Sequence, residues 1–207
     1  MYFMLNKTLL TIGACMSLTV ACGAQQQSGA RAAYDGRWWL AASDSRREGF
    51  VVGYFDCYHF EYNGPDHFRT KSYQRYRDLV TKFYQDSAAR PRPVADAIDG
   101  LRDRPGEKDE SPGGSPAPGR HWGNNGLFWR QASNEGHDEQ LGFVEGYLYC
   151  HEKLAKNKGG VFPRTPAEYR GLITQWYRFD EKTDDIDAKR EPAAIADVLF
   201  KVRTGIK

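Results

Sequence analysis

The chain has 207 residues, 40% of them hydrophobic and 14% aromatic, a composition suited to the core of one compact domain or two small ones. Its formal net charge is +2, so bulk charge recruits neither nucleic acid nor anionic lipid.

Residues 1–21 read as an export signal: a short n-region carrying Lys7, then an apolar stretch over 8–21 that is too short to span a bilayer comfortably. Thr19-Val20-Ala21-Cys22 closes it with small residues before a cysteine, in the manner of a bacterial lipobox, and predicts lipidation at Cys22 with 22–33 as a flexible tether. Thr19 stands where Leu is usual, so simple cleavage near Ala21 or Ala24 is the alternative. Ile12-Gly13-Ala14-Cys15 leaves too little apolar sequence before it to serve. Either route predicts an exported protein of the periplasm or outer membrane, a lipoprotein in the first case, touching the membrane only through an N-terminal lipid.

Beyond the signal the sequence repeats itself. Asp35-Gly36, Trp39, Ala42 and Ser43 return as Asn125-Gly126, Trp129, Ala132 and Ser133, 90 residues later. Gly49-Phe50-Val51, Gly53-Tyr54 and Cys57 return as Gly142-Phe143-Val144, Gly146-Tyr147 and Cys150. Tyr76-Arg77, Leu79-Val80-Thr81 and Phe83-Tyr84 match Tyr169-Arg170, Leu172-Ile173-Thr174 and Trp176-Tyr177, and Val94-Ala95-Asp96 matches Ile195-Ala196-Asp197. Matched blocks in one order predict a tandem duplication: repeat 1 over 34–104, repeat 2 over 121–207, related by a pseudo-twofold axis.

Each repeat reads as a short lead-in helix and three longer ones, an all-α fold of two helical bundles. Asp35 and Asn125 supply N-cap chemistry for the lead-ins. The next helix, over 49–62 and 142–156, places Phe50, Tyr54 and Cys57, or Phe143, Tyr147, Cys150 and Leu154, on one stripe; a strand is the rival, and length and spacing favour the helix. Gly49 and Gly53, like Gly142 and Gly146, lie four apart on one face, each costing about 1 kcal/mol in a helix relative to Ala. Both repeats tolerate that cost, which predicts close approach of another helix at these four glycines.

Thr165-Pro166-Ala167-Glu168 is a capping box with Pro at the first helical position, and Ser72 stands where Thr165 does. Behind these caps Tyr76, Leu79, Val80 and Phe83, and Tyr169, Leu172, Ile173 and Trp176, form core stripes. In the last helices Val94, Ala97, Ile98 and Leu101 match Ile195, Val198, Leu199 and Val202, with Pro192 suited to the first turn of the second copy. Residues 105–120, rich in Pro, Gly and Ser, read as a disordered linker, and 180–190 as a surface loop present only in the second copy.

Cys57 and Cys150 occupy equivalent positions, and equivalent residues meet only near a twofold axis. In an oxidising compartment this predicts a Cys57–Cys150 disulfide; the alternative is two separately buried thiols.

Candidate chemistry is sparse. His59 and His151 follow the two cysteines too closely to act as their bases from a helix, and the same spacing is wrong for zinc. His67, His121 and His137 are scattered in loops. Glu48, Asp56 and Glu145 lie near aromatic residues, but no motif fixes a carboxylate pair. Nucleophile elbows, phosphate-cradling loops and dinucleotide fingerprints are missing from the sequence. This predicts a protein that is not an enzyme, with no cofactor, no metal and no nucleic-acid partner.

Ser43 to Arg47 as a polar lead-in, Gly49-Phe50-Val51-Val52-Gly53-Tyr54-Phe55-Asp56, the capped helix ending Leu79-Val80-Thr81-Lys82-Phe83-Tyr84, and the closing Val94-Ala95-Asp96-Ala97-Ile98 make each half similar to the Rap/Tai family. These are small exported helical proteins that include immunity factors against type VI secretion amidase effectors. The family's cysteines near the middle loop and the C-terminus have no counterpart here. The resemblance implies stoichiometric binding of a peptidoglycan-cleaving amidase in the envelope, without chemistry. Family members act as dimers, so two fused units imply a dimer in one chain, with the loops over 60–71 and 156–164 as the place for partner specificity. The expected function is thus an exported non-catalytic envelope binding protein, immunity-like, with an amidase or other envelope protein as partner. A structural or accessory lipoprotein is the alternative, and an enzyme of unrecognised type the third reading.

Overall fold

Eight α-helices and one 3₁₀ turn make up the regular structure of the computed structural model, with no β-strand among the described residues. Those residues are 34–62, 71–101, 124–133, 137–154, 162–183 and 185–203, with side chains described through Phe60 in the first stretch. They lie within one compact unit, Ala32–Lys207. The expected signal with Cys15, the expected tether with Cys22, the expected linker over 105–120, His67, His121 and the centres of both variable loops fall outside them.

The order short helix, long helix, capped helix, closing helix occurs twice. The first run is α1 (Gly36–Ala41), α2 (Asp44–Tyr62), α3 (Tyr73–Gln85) and α4 (Val94–Gly100); the second is α5 (Gly126–Gln131), α6 (Asp138–Leu154), α7 (Pro166–Tyr177) and α8 (Ile195–Arg203). The protein is all-α, as its periodicities require. None of the described helices is long and apolar enough to cross a membrane.

Local chemistry explains most boundaries. Asp35 accepts from the Arg37 and Trp38 amides, and Asn125 from those of Leu127 and Phe128, so both lead-ins start where their caps stand. Behind each cap a fully buried indole donates to a threonine on the capped helix, Trp39 to Thr81 at 3.0 Å and Trp129 to Thr174 at 3.1 Å. Each lead-in is also tied to the strip before the closing helix. The Gly36 amide donates to the Arg90 carbonyl and the Val94 amide to the Tyr34 carbonyl, both at 2.9 Å; the Gly126 amide donates to Glu191 at 2.9 Å and the Ile195 amide to Asn124 at 2.8 Å.

The long helices begin before their apolar stripes. Asp44 in α2, and Asp138 with Glu139 in α6, place negative charge in the first turn, where the helix dipole favours it. Ser72 caps α3, and Thr165 with Glu168 forms the complete capping box of α7.

Three details depart from the sequence reading. The buried spine of α3 is Tyr76, Val80 and Tyr84, and that of α7 is Tyr169, Ile173 and Tyr177, while Phe83 and Trp176 are only half-buried. The tyrosines win the interior because their hydroxyls reach backbone carbonyls of the turn before the closing helix, Tyr84 that of Arg92 at 3.0 Å and Tyr177 that of Ala193 at 2.6 Å. Phe83 instead carries the Arg92 guanidinium on its face, and Trp176 carries Arg190 and Lys201. Second, α4 and α8 are short, and Pro192 precedes α8 by three residues, in the turn that leads to it. Third, the second-copy insertion is not wholly surface loop. Ile186 packs against the core, its Cδ1 close over Gly126.

Gly171 stands in the middle of α7, exposed, with no atom beyond its own helix within 4 Å of where a Cβ would lie among the described residues. Nothing nearby compensates its helix penalty. Gly171→Ala is therefore expected to stabilise the protein by about 0.5–1 kcal/mol in urea unfolding, and a loss of stability would mean that this face is covered.

Candidate functional site: the seam between the halves

Helix α2 of the first half lies against α6 of the second, and glycine makes their contact possible. A Cβ on Gly142 would stand 2.9 Å from the Arg46 carbonyl carbon, and one on Gly146 would stand 2.8 Å from that of Phe50, closer still to each oxygen. Gly49 meets the Glu139 carbonyl in the same way, and Gly53 that of Phe143. One turn forward along α2 is one turn forward along α6, so the two helices run in the same direction. The pairing is also reciprocal, as at an isologous interface. Each glycine Cα–H points at a carbonyl oxygen of the facing helix, a weak polar contact repeated four times. Phe50 and Phe143, both fully buried, are the residues whose backbones the glycines straddle.

The expected Cys57–Cys150 disulfide is not present: both side chains are buried thiols. Backbone contact at the glycines defines the closest approach. Each cysteine lies one turn beyond the last seam glycine, Cys57 after Gly53 and Cys150 after Gly146, and is buried there as a small apolar core residue instead of bridging.

Charged groups clamp the seam where glycine does not. Arg46 holds Glu145 with both arms, Nε to Oε2 at 2.9 Å and Nη2 to Oε1 at 2.6 Å, with Glu145 almost fully buried. Ionic and hydrogen-bonding contact with Glu145 pushes the Arg46 pKa further up, against its partial burial. At the helix starts the Ser43 hydroxyl donates to Asp138 at 2.6 Å. At the far end Lys153 of α6 reaches α4, 2.6 Å from Asp99 and 3.8 Å from Asp96, and the Tyr54 hydroxyl donates to the same Asp99 at 3.2 Å.

The halves are not equivalent here. By the repeat offset Lys153 matches Phe60 and Asp99 matches Phe200, and Phe60 stacks on Phe200 with ring centroids 5.7 Å apart. One half thus closes this corner with an ion pair and the other with aromatic rings. Likewise Asp56 stands where the second copy has Tyr149. Tyr149 packs on Tyr34 at 5.3 Å, whereas Asp56 faces Asn124, the counterpart of Tyr34, across 3.5 Å.

The three carboxylates singled out from sequence therefore have separate fates. Glu48 accepts from Arg77 at 3.0 Å and from Gln74, Glu145 is held by Arg46, and Asp56 is buried against Asn124. No glycosidase-like pair forms among them. His151 is enclosed by Phe162 and Phe200, and His137 lies 3.4 Å from Glu181. No group of three or more His, Cys, Asp or Glu among the described residues is placed to hold a metal. Arg46, Lys153, Asp99 and Asn124 escaped the sequence reading. Their signal was a mismatch between copies: Glu145 against Val52 and Asp56 against Tyr149 put an acid opposite an apolar or aromatic residue inside otherwise matched helices.

The Arg46–Glu145 clamp has a measurable strength. Glu145→Gln is expected to cost about 2 kcal/mol, less than a fully buried pair because Arg46 is partly exposed. A double-mutant cycle with Arg46→Met should show coupling, and additive single effects would remove the clamp.

Comparison with protein-family models, with curated proteins and with solved structures finds no match for the chain.

Proposed function

We propose that the chain is an exported, non-catalytic binding protein of the bacterial envelope that occludes a peptidoglycan-cleaving amidase. The observation that carries this reading is the seam. Two helical halves, each similar in its order of motifs to Rap/Tai immunity proteins, are held in one reciprocal arrangement by four glycines and the Arg46–Glu145 clamp. Such a fused pair does in one chain what the family does as a dimer. The acids nearest to catalytic candidacy support the same reading, since Glu48 and Glu145 are engaged by arginines within the fold. The signal segment and Cys22 would deliver the protein, lipidated, to the compartment where such an enzyme acts.

Titration decides the matter. The processed protein, added to an exported amidase encoded beside its gene, should lower the rate of sacculus hydrolysis linearly, to zero at one equivalent. An unchanged rate at a large excess of the protein would overturn the proposal. Partition of the native protein into detergent, lost in Cys22→Ser, tests the anchor independently.

A further inference from the structure

No described cation faces Asp56, an acid beside the seam. It lies on α2, is 6% exposed, and its Oδ2 is buried without a hydrogen-bond partner among the described residues. Its other oxygen receives the Asn124 amide across 3.5 Å, at the limit of a hydrogen bond. The titratable groups around it bring no positive charge. Tyr177 of α7 feels the Asp56 carboxyl, and Asp197 of α8 acts on the same phenol. On α2 itself His59 lies three residues further on. Burial raises the carboxyl's pKa, and hydrogen bonding from the Asn124 backbone opposes it.

Asn124 is a sensitive place for such a group. Its carbonyl accepts the Ile195 amide at 2.8 Å, which seats the first turn of α8. The next residue, Asn125, caps α5, and Gly126 is hydrogen-bonded to Glu191. A displaced Asn124 therefore loosens the lead-in and the start of the closing helix together. The first half offers a control inside the same molecule. There the matching corner, Tyr34 with its bond from the Val94 amide, is packed by the Tyr149 ring, which keeps its neutral form throughout the ordinary pH range because burial raises the phenol's pKa further.

We infer that Asp56 is a proton-operated latch on the second half: while its carboxyl is neutral Asn124 stays seated on α2, and when it ionises the corner formed by Asn124, α5 and the start of α8 opens, whereas the matching corner of the first half stays closed. An ionised carboxylate whose described donors come from Asn124 alone cannot remain in that interior, and rotation toward water unseats Asn124. Burial pushes the Asp56 pKa up to about 8, so the corner is open by that pH, and earlier where opening costs less than burying the charge.

The test is native-state hydrogen exchange of the full mature chain at pH 6 and pH 9, corrected for intrinsic exchange rates. Peptides covering α5 and the first turn of α8 should lose at least tenfold in protection at pH 9, while those covering α1 and the first turn of α4 hold theirs. In Asp56→Asn the difference between the two pH values should vanish from the second-half peptides. Equal responses of both halves, no response in either, or a response that survives in Asp56→Asn would overturn the latch. Should that variant not fold, the comparison of halves within the unaltered protein still decides.

Discussion

Gly146→Ala is expected to destabilise the protein by about 3 kcal/mol or more, although it adds a single methyl group to a helix. In an isolated helix the same change would help by about 1 kcal/mol. Here the new Cβ would overlap the Phe50 carbonyl, which is backbone held in α2 by its own hydrogen bonding and cannot rotate away. The only relief is to push α6 off α2. That would open gaps around Phe50, Phe143 and their buried neighbours, and lose dispersion contacts that a void leaves unpartnered. Gly53→Ala should behave alike, because Gly53 meets the Phe143 carbonyl in the reciprocal contact. The double variant should cost less than the two singles added together, since helices already forced apart by one methyl accommodate the second. Gly100→Ala and Gly171→Ala are the controls, with no atom beyond their own helix within 4 Å of either new methyl among the described residues. Urea unfolding of the set checks the claim. A Gly146→Ala protein within about 0.5 kcal/mol of the parent would refute backbone contact at the seam.

The glycines also mark how far the sequence could be read. Helical class, caps and the two-copy order of elements follow from local signals: the Thr165 capping box, the Asp35 and Asn125 caps, and stripes at helical spacing. Gly-x3-Gly in both copies pointed to a close helix contact, and the structure places the four glycines against carbonyls of the facing helix. The cysteine pairing was misjudged because equivalence under a twofold axis says which residues are able to meet, not how far along the helices the axis contact extends. The choice of Tyr84 over Phe83 for the interior depended on the Arg92 carbonyl, eight residues further on and offered only once the chain has turned back toward the closing helix. The polar clamps were invisible for a similar reason. Arg46 and Glu145 are distant in sequence, and their repeat equivalents, Glu139 and Val52, cannot form the same pair, so no periodicity announces it. Only the comparison of the copies with each other, reading departures as carefully as matches, exposes Glu145 and Asp56 as residues with a role of their own.

Asp56→Asn should stabilise the protein above pH 4, by an amount that grows with pH. The sign follows from proton binding. Burial raises the Asp56 pKa from 3.8 in the unfolded chain to about 8 in the folded one, so between those values the native state holds a proton that the unfolded state has released. Folding stability therefore falls as pH rises through that window, at about 1.4 kcal/mol per pH unit for one proton. Below the unfolded value both states are protonated and the full stability is present. Above about 8 both are ionised and the loss levels off. An asparagine fills nearly the same volume and never ionises. The stability difference between variant and parent should thus rise by about 4 kcal/mol between pH 4 and pH 7 and flatten only above about pH 8. Local opening limits this figure. If the Asn124 corner yields at a lower cost than burying the charge, the plateau is reached earlier and measures the opening, so the plateau height and the exchange protection of α5 should agree. Urea unfolding at each pH gives the curve. A variant whose advantage is the same at pH 5 as at pH 8 would show that Asp56 is already ionised in the folded protein, and with it would go both the buried neutral carboxyl and the latch.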